Sequence, residues 1–144
     1  MEHATMGKVL VTAKIENLHD LYRATDEGQT PVPVRQVEVD NALVDAGATM
    51  LSLPQRLIGA LGLQQSRSRK VRTVAGVVDC AIYEAVRLTI QGRDCTVDVA
   101  AIPDDCPPLV GQIPLEALDF VVDPVGQRLI GNPEHGGEHM LDIF

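Results

Sequence analysis

One stretch of this chain leaves the backbone few choices. In Asn41-Ala42-Leu43-Val44-Asp45-Ala46-Gly47-Ala48-Thr49-Met50-Leu51-Ser52-Leu53-Pro54 a single acid stands between two apolar runs. Leu43 and Val44 read as the end of a buried strand, Gly47 admits backbone angles closed to other residues, and Pro54 marks where extended chain yields to a helix start. A carboxylate delivered by a buried strand is costly unless it has partners. A second copy of the same acid across a two-fold axis meets that need, because two carboxyls sharing one proton need not both ionise. The stretch is therefore read as an active-site loop with Asp45 as its acid.

Ala42-Leu43-Val44-Asp45-Ala46-Gly47-Ala48-Thr49 resembles the hydrophobic-hydrophobic-Asp-Thr/Ser-Gly-Ala signature of the retroviral-like (retropepsin-like) aspartic proteases. Downstream, Leu109-Val110-Gly111 resembles the second apolar-apolar-Gly turn of that family, followed by a short helix. The resemblance covers roughly residues 34–123. It implies an all-β fold with short helices, a retropepsin-like acid protease half-barrel with one lobe per subunit. It also implies Asp45 as the catalytic residue, Ala46, Gly47 and Ala48 as its loop, and Leu109, Val110 and Gly111 as a second glycine turn. Val74, Ala75, Gly76 and Val77 would then form a flap over an extended peptide. A homodimer acting on a peptide or protein substrate follows from the same resemblance, with no cofactor and no metal.

The chain departs from the signature at Ala46, which stands where the family carries Thr or Ser. The missing hydroxyl removes a hydrogen bond across the dimer worth on the order of 1 kcal/mol. Three functions stay open: an aspartic endopeptidase, a catalytically silent retropepsin-like module that dimerises and binds peptides or protein partners, and, behind these, the antitoxin-like or regulatory partner role open to any small acidic β-protein.

Composition narrows the partners. The net charge is −8, with 20 acids against 12 bases, which argues against nucleic acid or an anionic membrane surface. Aromatic residues make up only 3%, so any core is built from Val, Leu, Ile and Ala, as strands prefer. Cys80, Cys95 and Cys106 show no CxxC spacing and read as reduced thiols. The beginning of the chain lacks the apolar core of a signal peptide, and no apolar run approaches the roughly 20 residues that span a bilayer. These features predict a cytoplasmic single domain over residues 1–144, with residues 1–7 flexible.

In chain order, residues 8–16 alternate as a strand, to which the resemblance gives a share of the dimer interface. A polar surface loop is predicted over 17–30, a half-buried strand over 32–40, a turn at Asp40-Asn41 and a core strand at 42–44. Leu57, Ile58 and Leu61 mark a short helix that Gly62 ends. Arg67, Arg69, Lys70 and Arg72 form the dense basic patch, read as a strand edge protected by charge, or more sharply as a handle for an acidic substrate. Residues 82–90 and 95–102 read as a hairpin, Pro114 starts another helix, and 120–123 with 128–130 form a last hairpin. A terminal strand is predicted over 139–144. His135 and His139 have a zinc-compatible spacing, but Pro133, Gly136 and Gly137 oppose the helix it needs, so a polar turn is expected there.

Overall fold

The computed structural model describes residues 8–25 and 33–143; the predicted flexible start and the stretch 26–32 lie outside them. The first strand, β1 (Val9–Asn17), buries Val9, Val11, Ala13 and Ile15 and turns Leu10, Thr12 and Lys14 outward. That period of two makes one face core and the other surface.

Where a loop is predicted after Asn17, a helix forms instead, α1 (Leu18–Thr25). Its start is capped by Asn17, whose Oδ1 accepts the Asp20 amide at 3.0 Å. Leu18, Leu21 and Tyr22 stand at i, i+3 and i+4, but of these Leu18 alone is buried, together with Asp20, so the apolar stripe is a single short turn. The Asn17 amide group also donates to the Leu61 carbonyl at 2.8 Å. Asp20 takes Arg35 in a two-pronged ion pair, Nε at 2.8 Å and Nη2 at 3.0 Å, and accepts the Arg35 backbone amide as well. Those Arg35 hydrogen bonds hold the Asp20 carboxyl down at about 2 against the effect of burial.

β2 (Gln36–Val44) then runs unbroken through the predicted turn. It pairs antiparallel with β1, and between Val11↔Ala42 and Ala13↔Val39 two residues, Asp40 and Asn41, oppose one. The turn-prone pair makes a β-bulge, which bends the strand without ending it.

The remaining order is β3 (Leu51–Pro54), α2 (Gln55–Leu61), β4 (Gln64–Thr73), β5 (Gly76–Ile90), β6 (Arg93–Ile102), β7 (Leu109–Val110), α3 (Gln112–Leu118), β8 (Phe120–Asp123) and β9 (Arg128–Gly131). Gly62 caps α2 in the left-handed region at φ 64°, as predicted. Gln91 and Gly92, both at positive φ, join β5 to β6, a two-residue link suited to the twist of the flanking strands.

The fold is all-β with short helices, and its main sheet closes on itself. Neighbours run β1-β2-β7-β3-β6-β5, and residues 14–17 of β1 pair with residues 86–89 of β5 to complete the ring. Among the described residues only β2–β7 and β3–β6 are parallel. β4 lies outside the ring, bonded among the described strands to β5 alone. Ile15, Leu51, Leu53, Leu61, Leu88, Val99 and Val110 fill the interior, an aliphatic core as composition requires. The N-terminal half of β1 keeps one edge without a strand neighbour among the described residues.

Residues 139–143 adopt no strand, which corrects the expected terminal strand; Phe144 lies outside the described residues. Side chains hold this segment instead. Asp119, at the left-handed end of α3, accepts the Met140 amide at 3.1 Å, and His135 bridges Asp119 at 2.6 Å and Asp142 at 3.0 Å.

Candidate active site

β2 delivers Asp45 to the surface at the point where the barrel needs a parallel partner. The amides of Leu43 and Asp45 donate to the carbonyls of Pro108 and Val110, at 2.8 and 3.0 Å, seating β2 beside β7. Beyond Asp45 the chain turns sharply: the Ala48 amide returns to the Asp45 carbonyl, and the Gly47 amide donates to Asp45 Oδ1 at 3.0 Å. The carboxylate is thus oriented by its own loop and remains half-buried.

The second glycine turn is what holds that loop. The Gly111 amide donates to Met50 O at 3.1 Å, Gln112 to Ala48 O at 2.8 Å and Ile113 to Thr49 O at 2.9 Å. The opening of α3 therefore satisfies three successive loop carbonyls, using amides that a helix start leaves without partners. A side chain on Gly111 has no room, since a Cβ there would stand 2.5 Å from Met50 O and 2.7 Å from Thr49 C. Gly47 is tight for another reason, its Cβ position lying 3.2 Å from Asp45 Oδ1.

β4 and β5 extend past the barrel as a hairpin, pairing from Arg67↔Ile82 out to Thr73↔Gly76. The predicted flap residues Val74, Ala75, Gly76 and Val77 are its exposed tip, with Gly76 at φ 113°. Between this hairpin and the Asp45 loop lies a cleft of about 1130 Å³. Gly47, Ala48 and Leu109 contribute to one side, Val71 and Thr73 to the other, and Ile82 and Ala100 lie between. Asp45, Ala46, the tip residues, Val110 and Gly111 do not line it directly. The structure thus brings the two glycine turns together by hydrogen bonds and leaves the hairpin tip apart from both.

The polar residues that sequence reading passed over are structural. Asn17 and Asp20 tie α1 to the barrel. At Asp119, burial pushes the carboxyl up, but the His135 hydrogen bond, with those from Met140 and Asn132, outweighs it and holds the group at about 2. His135 is raised in turn by its bonds to Asp119 and Asp142. His139 Nε2 instead meets the Ala117 carbonyl at 3.0 Å, so the two histidines serve different partners. The Asn-Pro-Glu-His sequence at 132–135, an Asx cap on a 3-10 turn, is the signal that marks this cluster. The three cysteines are free, and burial, aided by Asp94, pushes the Cys95 thiol up to about 11. That thiol stays protonated at neutral pH.

Among the described residues no helix is long and apolar enough to cross a membrane. No curated protein matches the chain significantly. A family model described as aspartyl protease, of a family related to the retropepsin-like proteases, matches residues 30–130. That span takes in the Asp45 loop, the β4–β5 hairpin and the Gly111 turn, well over half the chain. The chain belongs to the aspartyl protease family.

Proposed function

We propose that the protein is a homodimeric aspartic endopeptidase with Asp45 of each protomer at the two-fold axis. The observation that carries this reading is the asymmetry of the two turns. They pack as a pair, and only the first holds an acid. One lobe therefore supplies half of a dyad, and a second copy supplies the rest.

In the dimer one carboxylate takes a proton from water as it attacks the scissile carbonyl. The protonated partner donates to the carbonyl oxygen and later helps protonate the leaving amine. The pair titrates as a unit, so the rate is bell-shaped on the acidic to neutral side. The cleft suits an extended peptide, and the hairpin above it acts as a flap, supplying backbone hydrogen bonds and excluding water. Ala46 lacks the hydroxyl that would link the two subunits beneath the acids, which loosens their alignment without removing them.

The test compares cleavage of an unfolded protein by wild type and Asp45→Asn over roughly pH 4 to 7. Cleavage by wild type alone is expected. Absence of cleavage by a folded, dimeric wild type would replace the protease with the silent peptide-binding module.

A further inference from the structure

The hairpin wall of the cleft carries a cation that no described residue neutralises. In the β4–β5 pair Arg67 stands opposite Ile82 and Arg69 opposite Cys80, and directly opposed residues project from one face of a sheet. Ile82 and Cys80 both line the cleft, so Arg67 and Arg69 face it. Lys70 alternates to the other face and pairs with Asp79 at 3.4 Å, both side chains some three-quarters exposed. Arg67 is already engaged, at 2.8 Å from Asp98 and 3.5 Å from Glu84. Arg69 is exposed and makes no ion pair or side-chain hydrogen bond with any described residue.

Lys70 and Arg72 also contribute to the cleft's lining, but they alternate with Arg67 and Arg69 along the strand, opposite Asp79 and Val77, and protection of a free strand edge explains them. It does not explain a guanidinium turned toward the cleft. Nor does overall charge, since the protein is acidic, at −8. We propose that Arg69 is a specificity determinant that pairs with the carboxylate of an Asp or Glu side chain on an extended peptide in the cleft. This rests on the peptide-binding reading above. The planar fork of arginine matches a carboxylate two-for-two. Val71, two residues on and on the same face, is half-buried and also lines the cleft. Side chains of an extended peptide repeat on one face with that same two-residue step. The preferred substrate therefore carries an acidic residue and, two positions away, an apolar one.

The test presents one randomised synthetic peptide library to soluble wild type, with products read by mass spectrometry, and to immobilised full-length Asp45→Asn, with retained peptides read the same way. Asp or Glu should be enriched at one fixed position in cleaved or retained peptides. Arg69→Glu, made in both backgrounds and checked for an unchanged melting temperature, should cut that enrichment about tenfold and favour Lys there, while Arg69→Lys keeps part of it. Enrichment that is absent, or unchanged by Arg69→Glu, overturns the assignment even if cleavage is brisk. Acidic peptides retained without any cleavage by wild type overturn the protease reading and leave Arg69 standing. Neither cleavage nor retention overturns both.

Discussion

Replacing Gly111 with alanine sets a methyl group against three backbone atoms of the Asp45 loop. The new Cβ would lie 2.5 Å from Met50 O, 2.7 Å from Thr49 C and 2.8 Å from Ala48 O, where ordinary contact begins near 3.4 Å. Because all three are main chain, no rotamer change relieves the clash, and loop and turn must part by up to about 0.9 Å, the difference between 2.5 and 3.4 Å. That separation stretches the three hydrogen bonds from residues 111–113 to the loop carbonyls, now 2.8 to 3.1 Å, beyond useful range. At about 1 kcal/mol each, with overpacking of about 1–3 kcal/mol, the loss comes to roughly 4–6 kcal/mol. A typical domain has about 5–15 kcal/mol in total. Urea unfolding should show a lower midpoint at unchanged slope, and cleavage should fall about 100-fold, since a reacting group moves by nearly 1 Å. Gly59→Ala is the control. It lies in α2 with nothing within 4 Å of its Cβ position, and the same chemical change there should stabilise by about 0.5–1 kcal/mol. A Gly111→Ala protein within about 0.5 kcal/mol of wild type would refute the claim that this glycine is set by close approach to the loop.

Three further outcomes follow from the geometry. Asp20→Asn should lose about 1–2 kcal/mol at pH 7, a figure discounted because Arg35 is half-exposed. The Asp20 pKa is lowered to about 2, so its contribution is present above the unfolded value and lost as pH falls through about 2. Denaturant melts of wild type and variant should accordingly converge in acid. The His135 pKa is raised and that of Asp119 lowered to about 2. Their grip on the tail is thus complete between the unfolded values of about 4 and 6.5, weakening above as His135 loses its proton and below as Asp119 gains one. Hydrogen exchange at the Met140 amide, corrected for intrinsic rate, should be slowest in that window. His135→Ala should flatten the alkaline side, and protection that ignores pH from 5 to 8 would speak against the clasp. Ala46→Thr should tighten the dimer about fivefold, the equivalent of roughly 1 kcal/mol, as read by sedimentation; a weaker dimer would count against the two-fold placement of the loop.

The barrel strands were legible because each buried run carries its own alternation or its own glycine. β1 shows period two from Val9 to Ile15, and the turn read over residues 91–94 falls on the two-residue Gln91-Gly92 link. The loop at Asp45 was legible for the same reason, as acid, glycine and flanking aliphatics are adjacent in sequence. What escaped reading depends on pairs distant along the chain. Helix α1 is fixed by Asp20 meeting Arg35, fifteen residues away, a pairing that leaves no local pattern. Its local signal, Asn17 as cap three residues before Asp20, precedes a stripe too short to read as a helix. Asp40-Asn41 shows turn chemistry truthfully, but β1 alongside converts it to a bulge. The tail from 139 onward has the apolar look of a strand, and Asp119 with His135 captures it instead. Closure of the ring by β1 on β5 joins segments some seventy residues apart, where periodicity alone cannot choose the neighbour.

The Asp45 loop is fastened to the Gly111 turn by main-chain atoms, carbonyls 48 to 50 to amides 111 to 113. Its side chains at 46, 48 and 49 therefore carry none of the scaffold. A lineage can rewrite those letters while the barrel keeps its shape, provided glycine holds position 111. A substitution at position 46 is then a single-residue step that the barrel itself does not register.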